Sequence, residues 1–124
     1  MIGELKSPMT EQKFLKHLKK EMKADCVKYT ALRGKKISKV AVCGGSGGFL
    51  LKDAIRQGAD IFITADYKYH EFFDADGRII IADIGHYESE KYTIDLLYEI
   101  ITKKFSNFAA HCTKVNTNPV KYLV

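Results

Sequence analysis

A short apolar run that leads directly into a helical pattern is the feature that most constrains how this chain can fold. Residues 79–82 are apolar, and the run stops at Asp83 and Gly85. From Tyr87 onward, apolar residues recur at spacings of three, four or seven. This pattern predicts a buried strand that is followed at once by a long helix ending near Lys104.

Two potential metal ligands stand at this junction. His86 and Glu90 lie four residues apart, so a helix that includes both would place their side chains on one face. Imidazole and carboxylate are standard ligands of zinc and of harder divalent ions, and the pair is therefore half of a candidate metal site. The alternative is that His86 caps the turn and Glu90 is a solvated acid favoured by the helix dipole.

The rest of the chain predicts strands that alternate with helices. Thr10 precedes an amphipathic helix of about three turns, with Phe14 and Leu18 in its apolar stripe and lysines facing water. From residue 37 onward the alternation implies right-handed crossovers and a mostly parallel α/β sheet with helices on both faces. The strands are expected at residues 26–32, 37–43, 59–64, 79–84 and 108–115.

Composition and charge limit the class of protein. With 124 residues, the chain is expected to be a single α/β domain in which residues 1–36 form a basic lead-in of one helix and one strand. Residues 1–40 hold 11 Lys and Arg against 4 Asp and Glu. Such a basic arm is compatible with nucleic acid, but lysines of this kind more often form the solvent-exposed face of a helix, which is the preferred interpretation.

Localisation follows from what the sequence lacks. No run of 18 apolar residues is present, which argues against a membrane span, and residues 1–6 lack the apolar core of a signal peptide. Three cysteines without CxxC spacing indicate free thiols in a reducing compartment, so a cytoplasmic protein is expected.

A glycine run follows the second predicted strand. Residues 44–48 read Gly-Gly-Ser-Gly-Gly, between a buried strand and a helix. Glycines here would let the backbone approach a ligand, and a helix N-terminus attracts anions. A tight turn needed for strand–helix packing is the alternative. The residues alone favour neither interpretation.

A third group of polar side chains follows the next strand. Asp66 and His70 could bind a metal, position water, or act as acid and base. Because ligands of open α/β sheets bind beyond the carboxyl ends of the strands, Asp66, His70, His86, Glu90 and the glycines are predicted to share one rim of the sheet.

Four motifs together resemble a known family. They are residues 40–47 (VAVCGGSG), 64–70 (TADYKYH), 85–90 (GHYESE) and 117–119 (TNP). In order and spacing they resemble the Nif-three-like dinuclear-metal proteins, often called GTP cyclohydrolase type-two homologues. The resemblance covers the C-terminal half of that family. Ala65 stands where the family usually has glycine, a departure that is expected to restrict the turn before Asp66.

The resemblance implies a metal-dependent function. Two divalent ions (zinc, manganese, iron or magnesium) would sit between two α/β halves, with His86 and Glu90 as the ligands from this half. The remaining ligands, a His-His pair and an Asp, would come from an N-terminal half, and this chain has no His-His pair. The implied protein is a homo-oligomeric hydrolase with a possible nucleotide substrate. Asp66 and His70 would be its catalytic groups, acting behind the metal ligands or as proton shuttles.

Two further expectations follow from the resemblance. The alternative function is a metal-loaded adaptor that contacts protein or nucleic acid without turnover. With two ligands where catalytic zinc usually has three, the chain alone is expected to bind metal poorly and to show little activity.

Overall fold

The computed structural model describes residues 1–123 and is built on one five-stranded sheet. The strands in chain order are β1 (Ile2–Thr10), β2 (Lys28–Tyr29), β3 (Lys36–Ser46), β4 (Ile61–Ala65) and β5 (Ile80–Asp83). The helices are α1 (Glu11–Glu21), α2 (Leu51–Arg56), α3 (His86–Glu90) and α4 (Thr93–Lys104), with 3-10 helices at Gly48–Leu50 and Tyr69–Ala75. None of the described helices has the length and apolar character needed to cross a bilayer.

The sheet is mixed, and the prediction of a mostly parallel sheet was wrong. Its order is β1–β3–β4–β5–β2. β3 pairs with β4 and β4 with β5 in parallel, whereas β1 pairs with β3 and β2 with β5 in antiparallel fashion. Alternation of strands and helices predicts parallel pairing only for strands that crossovers connect, and these are the three central strands β3, β4 and β5. Both edge strands come from the segment before residue 36, where α1 links two strands that lie at opposite edges of the sheet and do not pair with each other.

Three other expectations need correction. Residues 108–115 form no strand; Phe108 and Val115 are exposed, and the described residues beyond α4 have no regular structure. The strand expected at 26–32 is only two residues long, and the helix expected after Gly85 is divided into α3 and α4. Alternation or periodicity in the sequence cannot show whether a segment finds a neighbour to pack on, which explains these differences.

The core contains two clusters of apolar side chains. One joins Phe14 and Leu18 of α1 to sheet residues such as Ile61 and Ile80. The other joins α2 to sheet residues that include Phe62. Because neighbouring strand residues point to opposite faces, Ile61 and Phe62 enter different clusters. We expected residues 40–42, 61–63 and 79–81 in the interior of the sheet. Ala41, Ile61–Ile63 and Ile79–Ile81 are buried as expected, whereas Val40 and Val42 are only half-buried.

Candidate functional site

The candidate site lies where two parallel strands end. β4 stops at Ala65 and is followed by Asp66, and β5 stops at Asp83, three residues before His86 opens α3. Asp66 has a left-handed backbone with φ of 59°, a conformation that Asp tolerates better than most residues. Ala65 is the last residue of the strand and is buried, and its effect on the turn stays a prediction.

His86 stands between two carboxylates. Its Nδ1 lies 2.6 Å from Oδ2 of Asp66, and its Nε2 lies 3.1 Å from Oε2 of Glu90. All three side chains are about half exposed. The hydrogen bond that the ring donates to Asp66 is the main cause that raises the pKa of His86 above its usual range; burial opposes this effect, and the negative charges of Asp66 and Glu90 add to it.

This arrangement suits metal binding in ligand type but supplies only part of a site. With a carboxylate on each nitrogen, the protonated ring donates from Nδ1 to Asp66 and from Nε2 to Glu90. A metal ion would take the place of the Nε2 proton, while the Asp66 carboxylate keeps the proton on Nδ1. Asp66 and Glu90 lie on opposite edges of the same ring, so they do not converge on one ion. Among residues 1–123, no group of three or more His, Cys, Asp or Glu side chains is placed to hold a metal ion.

The glycine run packs against this pair. The Gly45 N–H donates to Oγ of Ser89 at 2.8 Å, and φ is 64°. A Cβ at Gly45 would lie 2.5 Å from Oε1 of Glu90. The Gly47 N–H is likewise bound, to Oγ1 of Thr64 at 3.0 Å. Both amides are therefore occupied by side chains, which supports close packing rather than an anion cradle at these two positions.

His70 follows the same strand end, but no hydrogen bond or ion pair joins it to Asp66 or His86 among the described residues. It lies in the 3-10 helix Tyr69–Ala75, and its ring contacts the Tyr69 ring with centroids 5.3 Å apart. It does not line the cavity beside His86. A proton-shuttling role for His70 stays a prediction.

A cavity of about 750 Å³ opens beside His86 and Glu90. One wall is the C-terminal segment, which includes Asn118 and Tyr122. Buried Glu88 holds this wall, because Nδ2 of Asn118 donates to its Oε1 at 3.2 Å. Burial, followed by the Glu88 charge, raises the pKa of Tyr122. The TNP motif was the sequence signal for this wall, but nothing in the sequence connected it to Glu88.

Asp83 ties the strand ends together and was also missed as a site residue. It is almost fully buried and forms an ion pair with Lys28 of β2 at 2.7 Å between Nζ and Oδ2. Its two oxygens accept hydrogen bonds from the backbone N–H groups of Tyr67 and Gly85. Asp83 thus fixes the turns that present Asp66 and His86, and its position at the end of an apolar run was the available signal.

The fold and the site together define an α/β protein with a histidine–carboxylate cluster at the carboxyl ends of adjacent parallel strands. Residues 1–119 match the family described as Duf34/NIF3 (NGG1p interacting factor 3). The chain belongs to this family, which confirms the Nif-three-like resemblance.

Named relatives and solved structures are similar to this chain over almost its whole length. A Staphylococcus epidermidis protein named GTP cyclohydrolase 1 type 2 homolog is 39% identical over 128 residues, an alignment that covers 98% of this chain and 34% of that protein. The crystal structure of Staphylococcus aureus protein SA1388 has a TM-score of 0.84 and 28% identity, covering 98% of this chain and 41% of that one. A Bacillus cereus protein related to NIF3 has a TM-score of 0.81 and 29% identity, with coverage of 98% and 35%. The chain spans about a third of the length of the curated relatives that it matches.

Proposed function

We propose that this chain supplies part of a dinuclear metal site in a metal-dependent hydrolase, with His86 and Glu90 as the metal ligands. The observation that carries the proposal is the pairing of His86 Nε2 with Glu90 at 3.1 Å while Asp66 occupies Nδ1 at 2.6 Å. A carboxylate behind a ligating imidazole fixes its tautomer and orientation. Asp66 is in this proposal a positioning residue.

The number of ligands explains why other residues are needed. His86 and Glu90 offer two donors, and catalytic zinc usually has three protein ligands. The longer relatives have additional chain length that could form an N-terminal half. We propose that such a half brings the remaining ligands. We also propose that the assembled protein is a homo-oligomer. Zinc, manganese, iron and magnesium all suit such donors, and a bound divalent ion supplies Lewis-acid activation of water and of a substrate oxygen.

The substrate proposal rests on the cavity and on the relatives. The volume of the cavity beside His86 and Glu90, about 750 Å³, lies within the usual range for small-molecule sites. The Staphylococcus relatives are named GTP cyclohydrolase 1 type 2 homolog. We propose a nucleotide as the substrate, with the Asn118 wall and His86 on either side of it.

Calorimetric titration of the 124-residue chain with zinc and with manganese tests the ligand assignment. The expected result is weak binding that His86→Ala and Glu90→Gln each abolish, since each variant removes one of two donors. Asp76→Asn, an exposed acid away from the cavity, is the matched control and should leave binding unchanged. Weak binding that survives both ligand variants would contradict the assignment. Submicromolar stoichiometric binding by the monomer would show that no missing half is required.

A hydrolysis screen of nucleotides with the relative from Staphylococcus epidermidis tests the reaction class. Metal-dependent turnover supports the hydrolase. Intact binding of a protein or nucleic acid without any turnover would instead support a metal-loaded adaptor.

A further inference from the structure

One buried carboxylate of this chain has far fewer partners than the others. Glu11, Asp83 and Glu88 are the acids that are more than nine-tenths buried in the described part of the chain. Glu11 accepts hydrogen bonds from three backbone N–H groups, and Asp83 accepts from two backbone N–H groups and pairs with Lys28. Glu88 accepts one hydrogen bond, at Oε1, and no described Lys, Arg or His forms an ion pair with it.

The second oxygen of Glu88, Oε2, has no donor among residues 1–123. A carboxylate that is removed from water without hydrogen bonds is strongly unfavourable, so native proteins almost always supply a cation or an N–H or O–H donor. Glu88 lines the cavity of about 750 Å³ beside His86. A ligand in this cavity is therefore in the right place to supply the missing donor.

The backbone at Gly85 makes room for this oxygen and for a second polar group. Gly85 has a φ of 91°. A Cβ at this position would overlap Oε2 of Glu88 and would lie 3.2 Å from the Tyr122 hydroxyl. Tyr122 also lines the cavity, and none of the described hydrogen bonds involves its hydroxyl. This end of the cavity thus presents a hydrogen-bond acceptor beside a donor.

The acceptor and donor lie apart from the candidate metal ligands. Glu88 is two residues from His86 and two from Glu90 on the same helix, and residues at that spacing do not face each other. Apolar side chains that also line the cavity are Tyr87, Ile94, Pro119 and Val120. Apolar walls with a few polar groups are typical of sites for small planar ligands.

We propose that Glu88 and Tyr122 recognise the lactam edge of a nucleobase, which is the ring N–H beside a carbonyl in hypoxanthine, guanine and uracil. The ring N–H donates to Oε2 of Glu88, and the Tyr122 hydroxyl donates to the carbonyl oxygen. Adenine has an acceptor nitrogen where these bases have the N–H, so two acceptors would face each other. This inference rests on the proposed nucleotide substrate and does not depend on the metal ligands.

Titration of the isotope-labelled 124-residue chain with inosine monophosphate and with adenosine monophosphate, followed by NMR in the presence of EDTA, tests the inference. The two nucleotides share the sugar and the phosphate, so a difference in affinity reports on the base edge. The inosine nucleotide should bind at least about tenfold more tightly, because adenine leaves Oε2 of Glu88 unpaired. Equal affinities would overturn the inference and leave the nucleotide proposal standing, whereas no binding of either nucleotide would overturn both.

Glu88→Gln should reverse the preference. The carbonyl of the new side chain can still accept from Asn118, whereas its NH₂ group puts a donor where Oε2 was. The adenosine nucleotide should then bind more tightly than the inosine nucleotide, a reversal that loss of a purely structural role would not produce. Tyr122→Phe should weaken binding of the inosine nucleotide about fivefold, because its carbonyl loses a donor.

The matched controls are Glu99→Gln and Tyr98→Phe. They repeat the two chemical changes on exposed residues of α4 that do not line the cavity, and they should leave both affinities unchanged. Circular dichroism checks that each variant is folded, and Tyr122→Phe carries the test if Glu88→Gln is not. A folded Glu88→Gln that still prefers the inosine nucleotide, or an unchanged affinity in Tyr122→Phe, would overturn the inference.

Discussion

At the scale of single residues, the site is organised by one imidazole with a different carboxylate on each nitrogen. Asp66 reaches His86 from the preceding strand, whereas Glu90 comes from the same helix, one turn away. The two acids have different tasks in the proposed function, since one orients the ring and the other shares the metal with it. The contact by which Asp66 would orient the ring is also the main cause of the raised pKa of His86.

Replacement of Asp66 by Asn should lower the pKa of His86, because it removes the hydrogen bond that raises that pKa most. Only the neutral imidazole binds metal, so binding through His86 should strengthen as pH rises through its pKa, and in Asp66→Asn this rise should start at lower pH. NMR titration of the His86 ring measures the pKa directly. Asp76→Asn serves as the control, and an unchanged His86 pKa in Asp66→Asn would contradict the assigned contact.

Tyr67 offers a second prediction at this scale. Its hydroxyl is buried with no hydrogen-bond partner among residues 1–123, and burial, aided by Glu71 and Asp74, raises its pKa to about 12. Tyr67→Phe should therefore be neutral or stabilise the fold by up to about 1 kcal/mol at pH 7. Because the unfolded phenol ionises near pH 10, the wild type should lose stability between about pH 10 and 12, and the variant should lose less.

Urea denaturation at pH 7 and at pH 10.5 measures both effects. Tyr69→Phe removes an exposed hydroxyl and is the control. A loss of more than about 1 kcal/mol in Tyr67→Phe at pH 7 would show that the hydroxyl has a partner that contributes to stability.

At the scale of elements, the strand-to-helix junctions decide which side chains meet. The glycine run ends β3 beside α3, so its backbone lies against Glu90 and Ser89. Asp83 at the end of β5 fixes the neighbouring turns. The site is therefore assembled by three consecutive parallel strands that end at one edge of the sheet.

Gly45→Ala tests this packing. The residue has a positive φ, and a methyl group would meet Glu90, so the cost should be about 2–4 kcal/mol, from strain and from displacement of that side chain. Gly77→Ala is a matched control, because Gly77 has the same φ of 64° with nothing within 4 Å. It should cost only about 1 kcal/mol of backbone strain. Equal losses of unfolding free energy in urea would mean that Glu90 does not pack on Gly45.

At the scale of the whole molecule, the N-terminal segment is part of the sheet and not an appendage. It provides both edge strands and α1. Buried Glu11 closes this arrangement by accepting hydrogen bonds from the backbone N–H groups of Arg33 and Gly34 at 2.9 and 3.1 Å. The start of α1 is thereby fastened to the loop that enters β3.

Glu11→Ala should destabilise the whole domain by about 2–3 kcal/mol, because it leaves at least two backbone donors without their partner. Unfolding in urea should remain a single transition if the segment and the sheet form one cooperative unit. Glu21→Ala, at the exposed end of the same helix, should change stability by less than about 0.5 kcal/mol. A separate early transition in Glu11→Ala would show that residues 1–36 fold independently of the sheet.

The sequence by itself determined the local elements and half of the site. Periodicity located α1, the three central strands and the junction after β5, and the four-residue spacing paired His86 with Glu90, because these are contacts between neighbours along the chain. Only the tertiary structure decided the antiparallel edges, the contact of Asp66 with His86 and the bond between Glu88 and Asn118. Each of these depends on which distant segments meet, and that is set by packing and loop closure over the whole chain, which no local pattern records.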